Sequence, residues 1–273
     1  MAKSGPPPVR EEVSNTSGTA SKPLTGMFQR IPKPKITPKL VVAAVEGWGK
    51  TTMATQVPDV GLVAASTERG YETLLSADRV NNVPYVATST WKETLKAIDE
   101  LRGSPLKAVA LDELSGFERQ CFEHVKATVA EFKDDWARFW NYHKGAKLAA
   151  ETEWLQFLLA LQELDMPVIL LSHCQIEKFD EPTSEGYNRY TSALHKYVWA
   201  ATRRWADACL FGTFLTVVKD GKGIGGSDRI LYTQHRDTHD AKNRFGMPEI
   251  VTMPPQRELA WGHVWNLIKE GGK

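Results

Sequence analysis

Residues 38–255 read as an α/β domain with a mostly parallel central sheet, helices on both faces and a β-hairpin towards the C-terminus. Three features predict it. Apolar runs of strand length alternate with segments of helical period. The first run, Lys39 to Val45, passes into Glu46-Gly47-Trp48-Gly49-Lys50-Thr51-Thr52, the strand–turn–helix pattern G-x-x-x-x-G-K-[ST]. A later run, Ala108-Val109-Ala110-Leu111, ends in Asp112-Glu113. That puts carboxylates at the C-terminal end of a strand, where open α/β sheets bind ligands.

The elements follow in order. A strand at 39–45 leads to a helix that stops near Pro58, and a second strand spans 60–65. Val83 to Val86 reads as a short edge strand, because Pro84 cannot donate to a ladder. Residues 91–102 form an amphipathic helix, and 108–111 a buried strand. A long helical region covers 114–164 with a break near Gly145. Val168 to Leu171 is the next buried strand, followed by a polar loop at 176–191 and a helix at 192–206. Ala208 to Val218 and Arg229 to Thr233, joined by a turn around Gly221–Gly226, pair as a hairpin. Residues 256–273 form a C-terminal helical tail, its helix at 257–269.

Composition bounds the function. Hydrophobic residues make up 42% and charged residues 25% of the 273, as in ordinary globular proteins. The formal net charge of +1 excludes a global basic field, so any nucleic-acid site is a local patch. Cys121, Cys174 and Cys209 lack C-x-x-C spacing and read as reduced thiols of a cytoplasmic protein. No apolar run reaches membrane-spanning length. Residues 1–37 are rich in Pro, Ser, Gly, Thr and Lys and cannot bury a core. They form a basic arm, either a solvated tail or a contact for DNA or a partner, with Met27-Phe28 as its apolar pair.

The glycine-rich turn predicts a nucleotide site. Backbone amides of residues 46–52 would cradle phosphates, Lys50 would reach the β- and γ-phosphates of ATP, and Thr51 with Asp112 would hold Mg²⁺. Ala44 replaces the first glycine of the pattern. It costs little at negative φ and roughly 1–2 kcal/mol at positive φ. Glu68, after the second strand, and Glu113, after Asp112, compete as the base that prepares water. His173 and Gln175 follow the 168–171 strand and either sense the γ-phosphate or bond structurally. His235 and His239 lack a third ligand and read as a solvated loop. Phe132, Trp136, Phe139 and Trp140 fall on one helical face and read as packing, although Lys144 and Lys147 nearby would suit a base-stacking platform. The stretch 176–205, with Lys178, Tyr187, Arg189, Tyr190, His195, Lys196, Arg203 and Arg204, is the better candidate for DNA.

Several blocks occur in a telling order: Gly47 to Thr52, Thr67-Glu68-Arg69-Gly70, Leu111-Asp112-Glu113, Leu171 to Gln175, Trp205-Ala206-Asp207, and Ala241-Lys242-Asn243-Arg244-Phe245-Gly246-Met247-Pro248. Together they resemble the phage-encoded RecA-like ATPases, or AAA family ATPases, that include Sak-type single-strand annealing recombinases. The resemblance spans 38–255 and implies a RecA-like P-loop core. It also implies Mg-ATP hydrolysis, action on single-stranded DNA, and self-assembly into a ring or filament. By the same resemblance Glu68 is the catalytic glutamate, and His173 and Gln175 lie near the γ-phosphate sensor. Lys242 and Arg244 match a block that reaches across a subunit interface. Ser66 departs from an aspartate common among relatives. A host-cell cytoplasmic location and a phage single-strand binding protein as partner follow as expectations. Two rivals stand beside this reading: an ATP-clamped recombination mediator with little turnover, and a P-loop kinase, for which no arginine-rich lid is evident.

Overall fold

The computed structural model describes residues 35–180, 186–219 and 222–271. The chain divides into Met1–Lys35 and Ile36–Lys273. All but the last three residues of the expected arm lie outside the described residues.

Strand β1 (Lys39–Ala44) is buried along its whole length, as an apolar run flanked by helices on both faces requires. It lies between β5 (Val168–Phe179) and β7 (Ala208–Lys219), parallel to both. With β2 (Val60–Ala65), β3 (Tyr85–Thr88) and β4 (Ala108–Asp112), the parallel part reads β3-β2-β4-β5-β1-β7. Strand β8 (Lys222–Tyr232) continues it antiparallel to β7, and β10 (Ile250–Thr252) pairs with β8. The hairpin expected from the sequence is therefore β7–β8.

Side chains alternate across β1 and divide the core. Val41 joins the layer formed with α3 (Trp91–Glu100), α4 (Leu114–Thr128), α6 (Lys144–Glu151), α7 (Glu153–Gln162) and α8 (Lys196–Trp205). Leu40 and Val42 join the opposite layer, with α1 (Lys50–Ala54), α2 (Gly70–Ser76) and α9 (Ala260–Gly271). Local signals start some of these helices. Thr90 and Glu93 form a reciprocal capping box at α3, a motif that contributes about 1 kcal/mol. Trp91 then stacks on Trp154 at 6.0 Å, and the Trp154 indole donates to Thr202 at 2.8 Å, tying α3, α7 and α8 together.

The helical region 114–164 breaks near Gly145 as expected, at Asn141–His143, where Tyr142 and His143 take positive φ just before α6. Two expectations need correction. The same region also breaks after Thr128. Phe132 therefore precedes the short helix α5 (Trp136–Trp140) and does not share one continuous helical face with it. Phe132 and Phe139 are buried, while Trp136 and Trp140 stay partly exposed. Finally, 176–191 is not a plain loop: β5 runs on to Phe179 and pairs with an antiparallel strand, β6 (Tyr187–Ser192).

Candidate nucleotide-binding site

Strand β1 stops at Ala44, whose φ is not positive, so replacing the pattern's first glycine costs no backbone strain. The chain then turns through Gly47 (φ +70°) and Gly49 (φ +106°), left-handed values that favour glycine. Between them the Trp48 side chain is fully buried; its indole donates to the Ile230 carbonyl at 3.2 Å. The ring fits because Gly212, the β7 residue beside Ala44, has no side chain. Trp48 is thus an anchor for the loop, and its backbone, not its ring, faces the ligand space. Glu46 is exposed at the turn.

Two arginines that sequence reading passes over hold the carbonyl side of this loop. Arg229 on β8, itself buried, donates to Trp48 O at 3.3 Å and to Pro254 O at 2.6 Å. Arg257 donates to Gly47 O at 3.1 Å. Gln56 ties the same segment to α1, donating to Arg257 O at 2.5 Å and accepting from Trp261 N at 3.2 Å. No local motif marks these residues. The available signal is the isolated arginine inside an otherwise strand-like run at 229–232.

Lys50 and Thr51 open α1. Lys50 is buried, donates to Ala44 O at 3.1 Å and lies 3.5 Å from His173 Nδ1. Burial pulls its pKa down, opposed chiefly by the Asp112 carboxylate. Thr51 donates to Asp112 Oδ2 at 2.7 Å. Burial raises the Asp112 pKa, countered by that bond and by Lys50. Thr51 and Asp112 thus offer adjacent hard oxygens, a donor set that fits Mg²⁺. Bound there, the ion would neutralise charge on the β- and γ-phosphates.

Topology brings the remaining groups in. Strand β5 is inserted between β1 and β4, with His173 in register beside Ala44. His173 therefore comes between the loop and Asp112. Donor or acceptor atoms of Glu68, Glu113 and His173 all lie within 4.8 Å of one another. Glu113 caps α4, its Oε1 accepting from Gly116 N at 3.1 Å and from the Ser115 hydroxyl. Its Oε2 is buried with no protein partner. Burial, then the Glu113 charge, raises the Glu68 pKa. The two glutamates left as competitors by the sequence thus form one cluster. Gln175 lies two residues beyond His173 on the same strand face and donates to Glu177 at 2.7 Å. Beside α1, an open cleft of about 670 Å³ is lined by Thr52, Gln56, Leu74, Asp78, Asn81 and Arg257. It continues from the phosphate loop and is large enough for a base and ribose.

Residues 36–245 match the AAA domain family. The chain belongs to that family. The match fits the strand order and the loop-to-Asp112 geometry, and it supports nucleotide binding of the P-loop ATPase kind, typically with Mg²⁺. No curated protein matches the chain. Among the described residues of this AAA domain, no helix is long and apolar enough to cross a membrane.

Lys242 and Arg244 are not part of this cluster. Strand β9 (Lys242–Asn243) pairs with Cys209 and Ala208, at the start of β7, whereas the phosphate loop follows the end of β1. The Lys242 ammonium donates to Arg203 O at 2.7 Å, Arg204 O at 3.4 Å and Ala206 O, closing the C-terminal end of α8. Arg244 pairs with Asp207 at 3.3 Å. His239 is buried against Tyr232, with ring centroids 4.2 Å apart. Its half of the 235–239 stretch is packed and not solvated as expected, because Phe211 and Tyr232 offer it an aromatic surface.

Proposed function

We propose that this AAA domain hydrolyses Mg-ATP in a cycle coupled to single-stranded DNA, acting as a homo-oligomer in recombination, repair or replication. One observation carries the coupling. The strand that bears His173 beside Lys50 continues without interruption into the β5–β6 hairpin. A shift of His173 on gain or loss of a γ-phosphate therefore moves the hairpin directly. The hairpin offers Lys178 and Phe179 to solvent. A groove of about 240 Å³ between it and α8 is lined by Glu177, Phe179, Arg189, Lys196, Trp199, Arg203 and Asp240; Asp240 pairs with Arg189 and Arg203, and Lys196 is the cation outside that pairing. Cations for phosphates and rings for bases are what a single strand needs.

In this reading Lys50 neutralises the transferring phosphoryl group. Water attacks the γ-phosphorus as the bond to ADP breaks, and its proton passes to the Glu68–Glu113 pair. The unpartnered Glu113 oxygen and the burial-raised Glu68 favour a shared proton-accepting position. The motif order shared with phage annealing recombinases supports a phage role in the host cytoplasm, with a phage single-strand binding protein as partner. The test is the ATPase rate against added oligothymidylate or duplex DNA, with molecular size measured in parallel. Stimulation by the single strand is expected. Turnover indifferent to DNA, with no oligonucleotide bound, would reject the coupling.

A further inference from the structure

The Glu68–Glu113–His173 cluster offers more than a pair of bases for water. Ligand atoms of the three side chains lie within 4.8 Å of one another, and among the described residues this is the one such grouping of His, Cys, Asp and Glu. Bonds of about 2.0–2.2 Å put donors on opposite sides of an ion roughly 4 Å apart, and adjacent donors roughly 3 Å apart. Small side-chain rotations would therefore close the cluster around a cation. Glu113 is 2% exposed, and its Oε1 accepts from Gly116 N and the Ser115 hydroxyl at the start of α4. That leaves Oε2 for the cluster, buried and with no protein partner. An unpaired buried carboxylate oxygen is costly, and a bound ion relieves that cost. Glu68 and His173 are half-buried, which leaves an approach from solvent.

Charge points the same way. Among the described residues, the carboxylates of Glu68, Asp112 and Glu113 share a single ammonium, that of Lys50. Arg69, next after Glu68, pairs with Glu72 at 3.7 Å, and Arg229 and Arg257 donate to carbonyls of the loop. Lys50 opposes a cation here, standing 3.5 Å from His173 Nδ1. An ion would take the other ring nitrogen or displace that ammonium.

The donor set differs from that of Thr51 and Asp112. Their oxygens suit Mg²⁺, whereas an imidazole nitrogen beside two carboxylates favours a first-row transition ion. We propose that Glu68, Glu113 and His173 bind a second divalent cation, a transition ion such as Mn²⁺, which adds positive charge beside the γ-phosphate. The role of the ion rests on the ATPase reading, while its binding does not. Water on such an ion is a stronger acid than free water. Its proton passes to the second oxygen of Glu68 as its oxygen bonds to the γ-phosphorus and the bond to ADP breaks.

The experiment titrates nucleotide-free, full-length protein with Mn²⁺ in excess Mg²⁺, following free Mn²⁺ by electron paramagnetic resonance. The wild type should hold a single Mn²⁺ per chain, with nitrogen modulation in the spin echo of the bound ion, and its melting temperature should rise as Mn²⁺ binds. Glu68→Gln and Glu113→Gln should each weaken binding by at least the roughly 10–100-fold that losing a ligand's supporting partner costs. Should Glu113→Gln fail to fold, Glu68→Gln carries the test, because Glu68 is not a helix cap. His173→Gln should remove the nitrogen modulation, and Asp112→Asn should keep both the ion and the modulation. Mn²⁺ added to saturating Mg-ATP should raise wild-type kcat about tenfold or more. No Mn²⁺ held against Mg²⁺, an all-oxygen spectrum, or wild-type affinity in Glu68→Gln would overturn the site. So would loss of the ion in Asp112→Asn with retention in Glu68→Gln, which would give it to the Thr51–Asp112 pair. Bound Mn²⁺ with measurable but unraised kcat would overturn its role. A wild type that holds Mn²⁺ yet hydrolyses no ATP with either ion would instead remove the ATPase reading and leave the site standing.

Discussion

Gly212→Ala tests how the phosphate loop is anchored. A Cβ at position 212 would lie 2.6 Å from Trp48 Cε2 and 2.9 Å from the Ala44 Cβ. Neither neighbour yields easily. Ala44 is held in the sheet between β5 and β7, and the indole is fixed by its bond to Ile230 O and lies under the Arg229 guanidinium. Overpacking of this kind costs about 1–3 kcal/mol, offset by about 0.5–1 kcal/mol because alanine loses less backbone entropy than glycine in a strand. A net loss of about 1–2 kcal/mol corresponds to a fall in melting temperature of roughly 2–8 °C for a domain of this size. The more telling effect is on ligand binding. Trp48 stands between the two left-handed glycines, so displacing its ring moves the amides that would bind phosphate. ATP affinity, measured by calorimetry, should fall in Gly212→Ala. Adding Trp48→Ala should then cost less than in the wild-type background, because removing the ring also relieves its clash with the new Cβ. Wild-type melting temperature and ATP affinity in Gly212→Ala would refute this account of the loop.

Two further outcomes follow from the carboxylates of the site and of α4. Glu68→Gln and Glu113→Gln should each bind ATP yet lose about 10²–10⁴-fold in turnover. Because the Glu113 charge helps to raise the Glu68 pKa, the acid limb of any residual activity in Glu113→Gln should move to lower pH; an unmoved limb would separate the two groups. Glu118, buried and held up to about 8 by desolvation, accepts from His195 N at 2.8 Å. The folded state keeps a proton that the unfolded chain releases above its usual 4.5, so stability falls as pH rises from about 4.5 to about 8. Glu118→Gln should flatten the melting-temperature profile across that window, and an unchanged slope would assign it to other groups.

The phosphate loop, Asp112 and the parallel sheet were legible because each depends on local chemistry. The glycines, the Lys-Thr pair and the apolar runs ending in carboxylates are contiguous in the chain. The convergence of Glu68, Glu113 and His173 was not legible, because it depends on β5 passing between β1 and β4. The β5 extension was hidden for another reason. Residues 176–179 are exposed on this hairpin, so no buried face imposes an apolar alternation on them. Arg229 and Arg257 reach the loop across about 180 and 210 residues of chain, beyond any spacing rule. Lys242 was singled out by resemblance, and only its three carbonyl partners reveal its structural task.

The central claim is that the loop after β1 binds and cleaves ATP through Lys50. The direct measurement is ATP binding and phosphate release by the full-length protein with Mg²⁺, wild type beside Lys50→Ala. The account predicts turnover in the wild type, and weakened binding with no detectable phosphate release in the variant. Equal phosphate release by the two proteins would contradict it.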